Sequence, residues 1–406
     1  MQTAPTADGR RPGSRIALGA VATTIASVVP VFLVGGLAVQ MGAELGFSPA
    51  GLGLAFAVYF GVSALSSVPA GALVERYGAA AAARAGILIA AAGLLAIAVA
   101  ARSFAVLMVL LALSATANAL GQLSANAALS RISTRRQGLS FGIKQSAIPA
   151  ATLLAGLAVP VVALTVGWRW AFATAAVGAA AALVLVTPFP GRRNGPRGRG
   201  REGRGPTATG ALVVIGVAVA LGAGSAGSAG AFLVDSTVDR GIAPGLAGLT
   251  LTLGSIACIS VRVGAGWLAD LRGVHGDVRP VAALLATGAV GLALLSVPGT
   301  PALAAGVLLG FGFGWAFPGL VNFAVVQLHP ESPAAATSIT QTGVYVGGAL
   351  GPLAFGTVAA TSGYAAAWRS AAVAILMAAG LILAARRMLR HHVARVGTHA
   401  VRPAAG

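Results

Sequence analysis

The sequence predicts an all-α polytopic membrane protein of twelve transmembrane helices in two pseudo-symmetric six-helix bundles. Of 406 residues, 57% are hydrophobic and 9% charged. Mean hydropathy is +0.87, a balance that no water-soluble surface would supply. The apolar residues fall into twelve runs near or above the ~20 residues needed to cross a hydrocarbon core. Short motifs in the first six runs recur in the last six at a nearly constant offset.

The runs lie near 16–39, 52–74, 85–101, 103–130, 138–166, 170–189, 209–234, 243–269, 280–298, 302–328, 333–361 and 364–385. The first follows Arg10, Arg11 and Arg15 as a signal peptide would. Its uncharged stretch from Ile16 to Val39 is about twice a signal core, so it reads as a retained helix with Thr23, Thr24 and Ser27 beside Pro30. Span 4 carries Ser114, Asn118, Gln122, Asn126 and Ser130 at four-residue steps, a slowly drifting stripe expected to face the bundle interior. Span 5 holds Lys144 and Gln145, and span 8 holds Arg262 and Cys258. The lone cysteine lies in an apolar run and reads as an inert, packed thiol. Span 10 offers Asn322 after Gly-Phe-Gly-Phe-Gly-Trp, and span 11 offers Gln341. These runs divide the chain into a tail (1–15), a first bundle (16–189), a Gly/Pro/Arg linker (190–208), a second bundle (209–386) and a tail (387–406).

A net charge of +18 suggests nucleic acid, but the basic residues lie in loops and tails, so no nucleic-acid partner is expected. With the N-terminus in the cytoplasm, 21 basic residues fall inside and four outside: Arg102, Arg169, Arg240 and Arg369. Both termini are therefore expected to be cytoplasmic in a plasma (inner) membrane. Trp168, Trp170 and Trp368 fall where an outer aromatic belt is expected.

Gly71-Ala72-Leu73-Val74-Glu75-Arg76-Tyr77-Gly78 recurs as Gly266-Trp267-Leu268-Ala269-Asp270-Leu271-Arg272-Gly273, an offset of 195. Ile143-Lys144-Gln145 recurs as Ile339-Thr340-Gln341 and Asn126 as Asn322, both at 196, and Trp168-Arg169 as Trp368-Arg369 at 200. Four matches in order indicate a duplicated six-helix unit.

The Gly71 to Gly78 loop resembles the signature between the second and third helices of the major facilitator superfamily, Gly-x-Leu-x-Asp-Arg-x-Gly followed by basic residues. Twelve helices, the basic central loop and the duplicated signature extend the resemblance over the whole chain. It implies a secondary transporter whose two bundles rock about a central site. Two departures stand out: Glu75 replaces the usual Asp, and Ala79-Ala80 replace the basic residues.

A carboxylate in such a loop can face a helix N-terminus of the opposite bundle, where unpaired N–H groups favour negative charge. By symmetry Glu75 is expected to meet the start of helix 11 and Asp270 the start of helix 5, with Gly71, Arg76, Gly78, Gly266, Arg272 and Gly273 shaping the two switch loops. The alternative is an ordinary charged turn. Asn118, Gln122, Asn126, Asn322, Gln145 and Gln341 are candidates either for substrate contact or for interhelical hydrogen bonding. Lys144 and Arg262 are the sharper signal, because cations inside a span are costly and no acidic residue lies in either predicted span. They either line a substrate site or snorkel to the interface.

Drug/proton antiporters of the family carry an arginine in helix 4 and Gly-Pro-x-x-Gly-Gly in helix 5. Here Ala117 occupies the first position, and helix 5 reads Ala147-Ile148-Pro149-Ala150-Ala151-Thr152. The Lys-Gln pair instead is similar to small-anion permeases. The expected cargo is a small organic anion, with drug or metabolite efflux as the alternative and a coupling proton or ion left open. No catalytic constellation can be assembled from the five histidines, all outside the spans, so no enzyme, cofactor or metal is expected. A monomer in the lipid bilayer is expected.

Overall fold

The structure is a computed structural model that describes residues 10–129, 137–186, 209–273, 277–328 and 333–400. The first half contains α1 (Arg10–Gly36), α2 (Pro49–Tyr77), α3 (Ala79–Ala100), α4 (Phe104–Leu129), α5 (Gln137–Ala163) and α6 (Trp168–Leu185). The second contains α7 (Thr209–Asp239), α8 (Pro244–Leu271), α9 (Arg279–Leu294) and α10 (Thr300–Leu328). A last helical stretch, Pro333–Ala400, breaks at Gly363 (φ 82°) into α11 and α12. The twelve expected helices are all present. Expected features at 1–9, Ser130 and the 190–208 linker lie outside the described residues, as do 401–406.

The punctuation follows from residue chemistry. Proline occupies the first turn of α2, α8, α9 and α10, where its missing N–H costs nothing. Gly78 joins α2 directly to α3 at φ 87°, a left-handed conformation that an L side chain rarely adopts, which gives the last glycine of the loop motif its role.

Each half packs around its own core, α4 against α1, α2 and α3 in the first and α7 against α11 and α12 in the second. The halves meet along two seams, α2 with α11 and α5 with α8, and α1 also touches α7. The α5–α8 seam is close enough to exclude side chains. A Cβ at Gly138, Gly142 or Gly156 would lie 2.6 Å from the carbonyl oxygen of Gly266, Arg262 or Gly248 respectively. Small residues thus let the two backbones touch from one membrane face to the other.

Three expectations change. Only Trp170 of the supposed aromatic belt is exposed; Trp168 is buried because it lies about 200° from Trp170 on one helix and must face the opposite way, and Trp368 is buried edge-on against Phe355. The final helix runs on to Ala400, past the expected end of span 12 at 385. Helix α7 continues to Asp239, which brings Asp235 into a span, where the Tyr364 hydroxyl donates to it.

Opposite the face bearing Asp270, Glu44 ties the short helix Ala38–Leu45 to the start of α6. Arg169 reaches Glu44 at 2.7 and 2.9 Å, and the Trp168 indole donates to it at 2.7 Å. These hydrogen bonds from Arg169 and Trp168 hold the Glu44 carboxyl below its ordinary range. The repeated pair lacks the acid: Trp368 Nε1 is buried without a partner among the described residues, and Arg369 donates to Ala365 O at 3.1 Å.

Candidate functional site

The site begins with two broken helices. In α5, Ser146 separates segments Gln137–Gln145 and Ala147–Ala158. Pro149 has no N–H, so the Gln145 carbonyl four residues earlier has no donor in its own helix. In α10, wide π turns over Val307–Phe313 end at Gly314–Ala316 before a new segment starts at Phe317, and the Trp315 carbonyl sits at that break.

Arg262 of α8 fills both vacancies. Its Nε donates to Trp315 O at 2.9 Å, a second guanidinium nitrogen bonds the same oxygen, and the third bonds Gln145 O. Its guanidinium carbon lies 5.7 Å from the centre of the Trp315 ring, and only 2% of the residue is exposed. The cation therefore joins both halves through backbone dipoles, and the planar fork of arginine suits two acceptors.

Lys144 of α5 is also buried, with Nζ donating to Gln122 Oε1 of α4 at 3.1 Å. Among the described residues, neither cation forms an ion pair. Both heads point inward to hydrogen-bond partners rather than out to the interface. At the repeated position, Thr340 donates to Asn322 Oδ1 at 2.9 Å, linking α11 to α10 as Lys144 links α5 to α4. Ser67, 195 residues before Arg262, donates to Ala64 O of its own helix at 2.6 Å. The duplication supplied the scaffold, while among the described residues the buried cations are confined to the α5–α8 seam.

The α4 stripe divides. Asn118 Nδ2 donates to Ser63 Oγ of α2 at 3.1 Å, while its buried Oδ1 has no partner among the described residues. Gln122 takes Lys144. Asn126 is exposed, contrary to expectation, because four residues turn a helix about 40° beyond a full circle and the drift carries it off the interior face. Gln341 is half-buried. Gln145 enters the site through its backbone, which a search for polar side chains misses; the readable signal was the proline four residues on.

Near the end of α8, Asp270 accepts from Gly138 N at 2.8 Å and Leu139 N at 2.9 Å, one bond to each carboxylate oxygen. It thereby satisfies donors that an α-helix leaves unpaired at its first turn. Gln327 donates to Gln137 beside it at 3.0 Å. Further along the seam Thr152 and Ser255 hydroxyls lie 2.8 Å apart. Glu75 and Arg76 are exposed, with Arg76 over the Tyr77 ring at 5.2 Å. The start of helix 11, which Glu75 was expected to face, adjoins residues outside those described. Gly266 packs on Gly138, Gly71 is open, and Arg272 and Gly273 close α8. Asp270→Asn keeps one acceptor oxygen and loses the other, together with the charge on the α5 terminus. It should cost about 1 kcal/mol of seam closure, roughly fivefold, read as faster thiol labelling within the seam at unchanged melting temperature. Wild-type labelling would contradict the role given to the carboxylate.

A small crevice lined by Thr23, Ala79, Ser124 and Leu185 lies between α1, α3, α4 and α6, away from both cations.

The sequence profile of the Major Facilitator Superfamily matches residues 16–352. The chain belongs to the major facilitator superfamily. No curated protein matches its sequence. A bacterial homolog of the human lysosomal transporter Spinster, solved in an inward-facing and occupied conformation, superposes with TM-score 0.70 at 15% identity, covering 94% of this chain and 98% of that one. The human organic anion transporter MFSD10 (TETRAN) gives TM-score 0.67 at 16% identity, covering 93% and 100%. At such identities the likeness carries the fold alone. As a superfamily member, this chain is a multi-pass transporter of small solutes whose two halves are joined, in this structure, through Arg262 and Asp270.

Proposed function

We propose that this superfamily transporter carries a small organic anion across the plasma membrane by rocker-switch alternating access, bound between its halves by Arg262 and Lys144. The observation behind the reading is a pair of buried cations, one from each half, whose described partners are all neutral. An anion entering between them would exchange carbonyl and amide partners for an opposite charge and so bind preferentially where both cations reach it, coupling occupancy to closure. Arginine grips a carboxylate through two parallel hydrogen bonds, and lysine adds a point charge. Gln145, Gln341 and Asn322 are assigned to orient the rest of the solute. Asp270, with the loops around Gly71–Gly78 and Gly266–Gly273, is assigned to hold the cytoplasmic side closed. MFSD10 is described as an organic anion transporter; that description belongs to the human protein, and its likeness to this chain supports only the shared scaffold.

Flux of organic anions into proteoliposomes tests the proposal. Lys144→Ala should abolish or strongly reduce it, whereas normal flux in a Lys144→Ala, Arg262→Ala double variant, or a substrate proven cationic, would overturn it. The orientation proposed here places both termini and Asp270 in the cytoplasm. In a Cys258→Ser background, Gly198→Cys should react with impermeant thiol reagents only from the cytoplasmic side and Thr300→Cys only from outside. Thr300 is exposed and avoids the strain of substituting neighbouring Gly299, whose φ is 101°. Reversed labelling would invert the assignment.

A further inference from the structure

The centre between the halves is lopsided in a way that bears on which organic anion fits. Its charged side is made by α4, α5, α8 and α10, where Lys144 meets Gln122 and Arg262 meets Trp315. From Trp315 an aromatic ladder leads away from the cations and crosses between the halves. Trp315 packs edge-on against Phe32 of α1 at 5.7 Å, Phe32 against Phe56 of α2 at 5.8 Å, and Phe56 lies 6.4 Å from Phe60. Phe60 in turn touches α11, since a Cβ at Gly348 would lie 3.0 Å from its ring.

A polar arc completes the circuit. Asn118, one helical turn from Gln122, donates to Ser63, which donates to Tyr59 O at 2.8 Å, and Tyr59 packs edge-on against Phe60 at 5.6 Å. Two buried polar atoms on this uncharged side lack a hydrogen bond of normal geometry among the described residues: Asn118 Oδ1 and the hydroxyl of Tyr345, which has the Gln341 side chain nearby and stands three residues before Gly348 on α11. The two residues are only 1% and 6% exposed. Buried polar groups are nearly always satisfied, so two unfilled ones beside one central region mark positions that a bound molecule completes.

We propose that the transported anion is an aromatic carboxylate bearing a hydroxyl or amino group remote from its carboxylate. The carboxylate meets Arg262 and Lys144, the ring stacks among Phe32, Phe56 and Trp315, and the remote group donates to Asn118 Oδ1 and pairs with the Tyr345 hydroxyl. This rests on the anion reading above and narrows it. Aromatic faces prefer a ring to an aliphatic body. A site built to hydrogen-bond a substituent penalises the analogue lacking it, because its polar atoms then stay unpaired. A second carboxylate would be buried against the aromatic side without a counter-charge, so dicarboxylates are disfavoured.

The test is binding by the full-length protein in lipid nanodiscs, using 4-hydroxybenzoate, benzoate, cyclohexanecarboxylate, acetate and succinate as probes. The expected order is 4-hydroxybenzoate about fivefold or more tighter than benzoate, one hydrogen bond's worth, and benzoate tighter than the remaining three. Tyr345→Phe removes only a hydroxyl that makes no hydrogen bond of normal geometry among the described residues, so the melting temperature of the empty protein should hold while the 4-hydroxybenzoate to benzoate ratio falls toward one. Asn118→Leu should lower the same ratio. Acetate or succinate binding as tightly as the ring-bearing probes, or a ratio that survives both substitutions, would overturn the proposal while leaving an anion site intact. If instead no carboxylate binds, or binding is indifferent to Lys144→Ala, the anion reading itself fails and this inference with it.

Discussion

Replacing Arg262 by lysine should reduce anion flux at least about tenfold, although the charge is conserved. The guanidinium is a planar fork that meets Trp315 O with two nitrogens and Gln145 O with the third, in the middle of the α5–α8 seam. An ammonium on a thinner stem serves one of these carbonyls and leaves the other buried without a donor, at about 1–3 kcal/mol. The bidentate grip proposed for the substrate carboxylate is lost as well, and about 1.4 kcal/mol is already tenfold. Flux in proteoliposomes, beside a melting curve of the same preparation, separates loss of transport from loss of fold. Normal flux from a stably folded Arg262→Lys protein would mean that this arginine is structural packing and that the solute is recognised elsewhere.

Much of this arrangement could be read from residue order alone, because a lipid-embedded helix declares itself by length and apolar content. The paired loops ending at Gly78 and Gly273, and the match of Lys144 with Thr340, marked the duplication. Both cations stood out because charge inside a span is rare. What the residues did not declare is how each charge is met. Arg262 is answered by two carbonyls, and backbone acceptors do not appear in an inventory of side chains. The clue lay in the prolines and glycines that break α5 and α10, since a proline four residues after Gln145 strips its carbonyl of a partner.

Other differences have equally local causes. Asp235 falls just past the expected span, which ends at the last uncharged residue, Val234, yet nothing from Asp235 to Asp239 breaks a helix, and α7 runs through all five residues. Tyr364 at the α11–α12 corner accounts for the half-buried carboxylate by donating to it. Asn126 belongs to the α4 stripe by its regular spacing, but a four-residue repeat is not the helical period and the stripe rotates away from the centre.

The same broken helix allows the seam to be loosened without touching a charged residue. Pro149→Ala restores an N–H four residues after Gln145, so the Gln145 carbonyl gains a partner within α5 and ceases to need Arg262. The inter-half bond then competes with a local one. A hydrogen bond to a charged group is worth about 1.5–3 kcal/mol, so the closed seam should lose about tenfold to a hundredfold in population relative to states in which α5 and α8 part. The chain carries its own reporter. Cys258, its only cysteine, is fully buried on α8 one helical turn from Arg262, and its thiol lies beside the guanidinium. Alkylation of Cys258 by a membrane-permeant maleimide should therefore accelerate about tenfold or more in Pro149→Ala. Pro160→Ala, the same change in the π turn at the far end of α5, should leave the rate near wild type because no carbonyl used by Arg262 depends on it. Equal acceleration in both variants would point to general loosening of α5, and no acceleration in Pro149→Ala would show that the freed carbonyl does not hold the halves together.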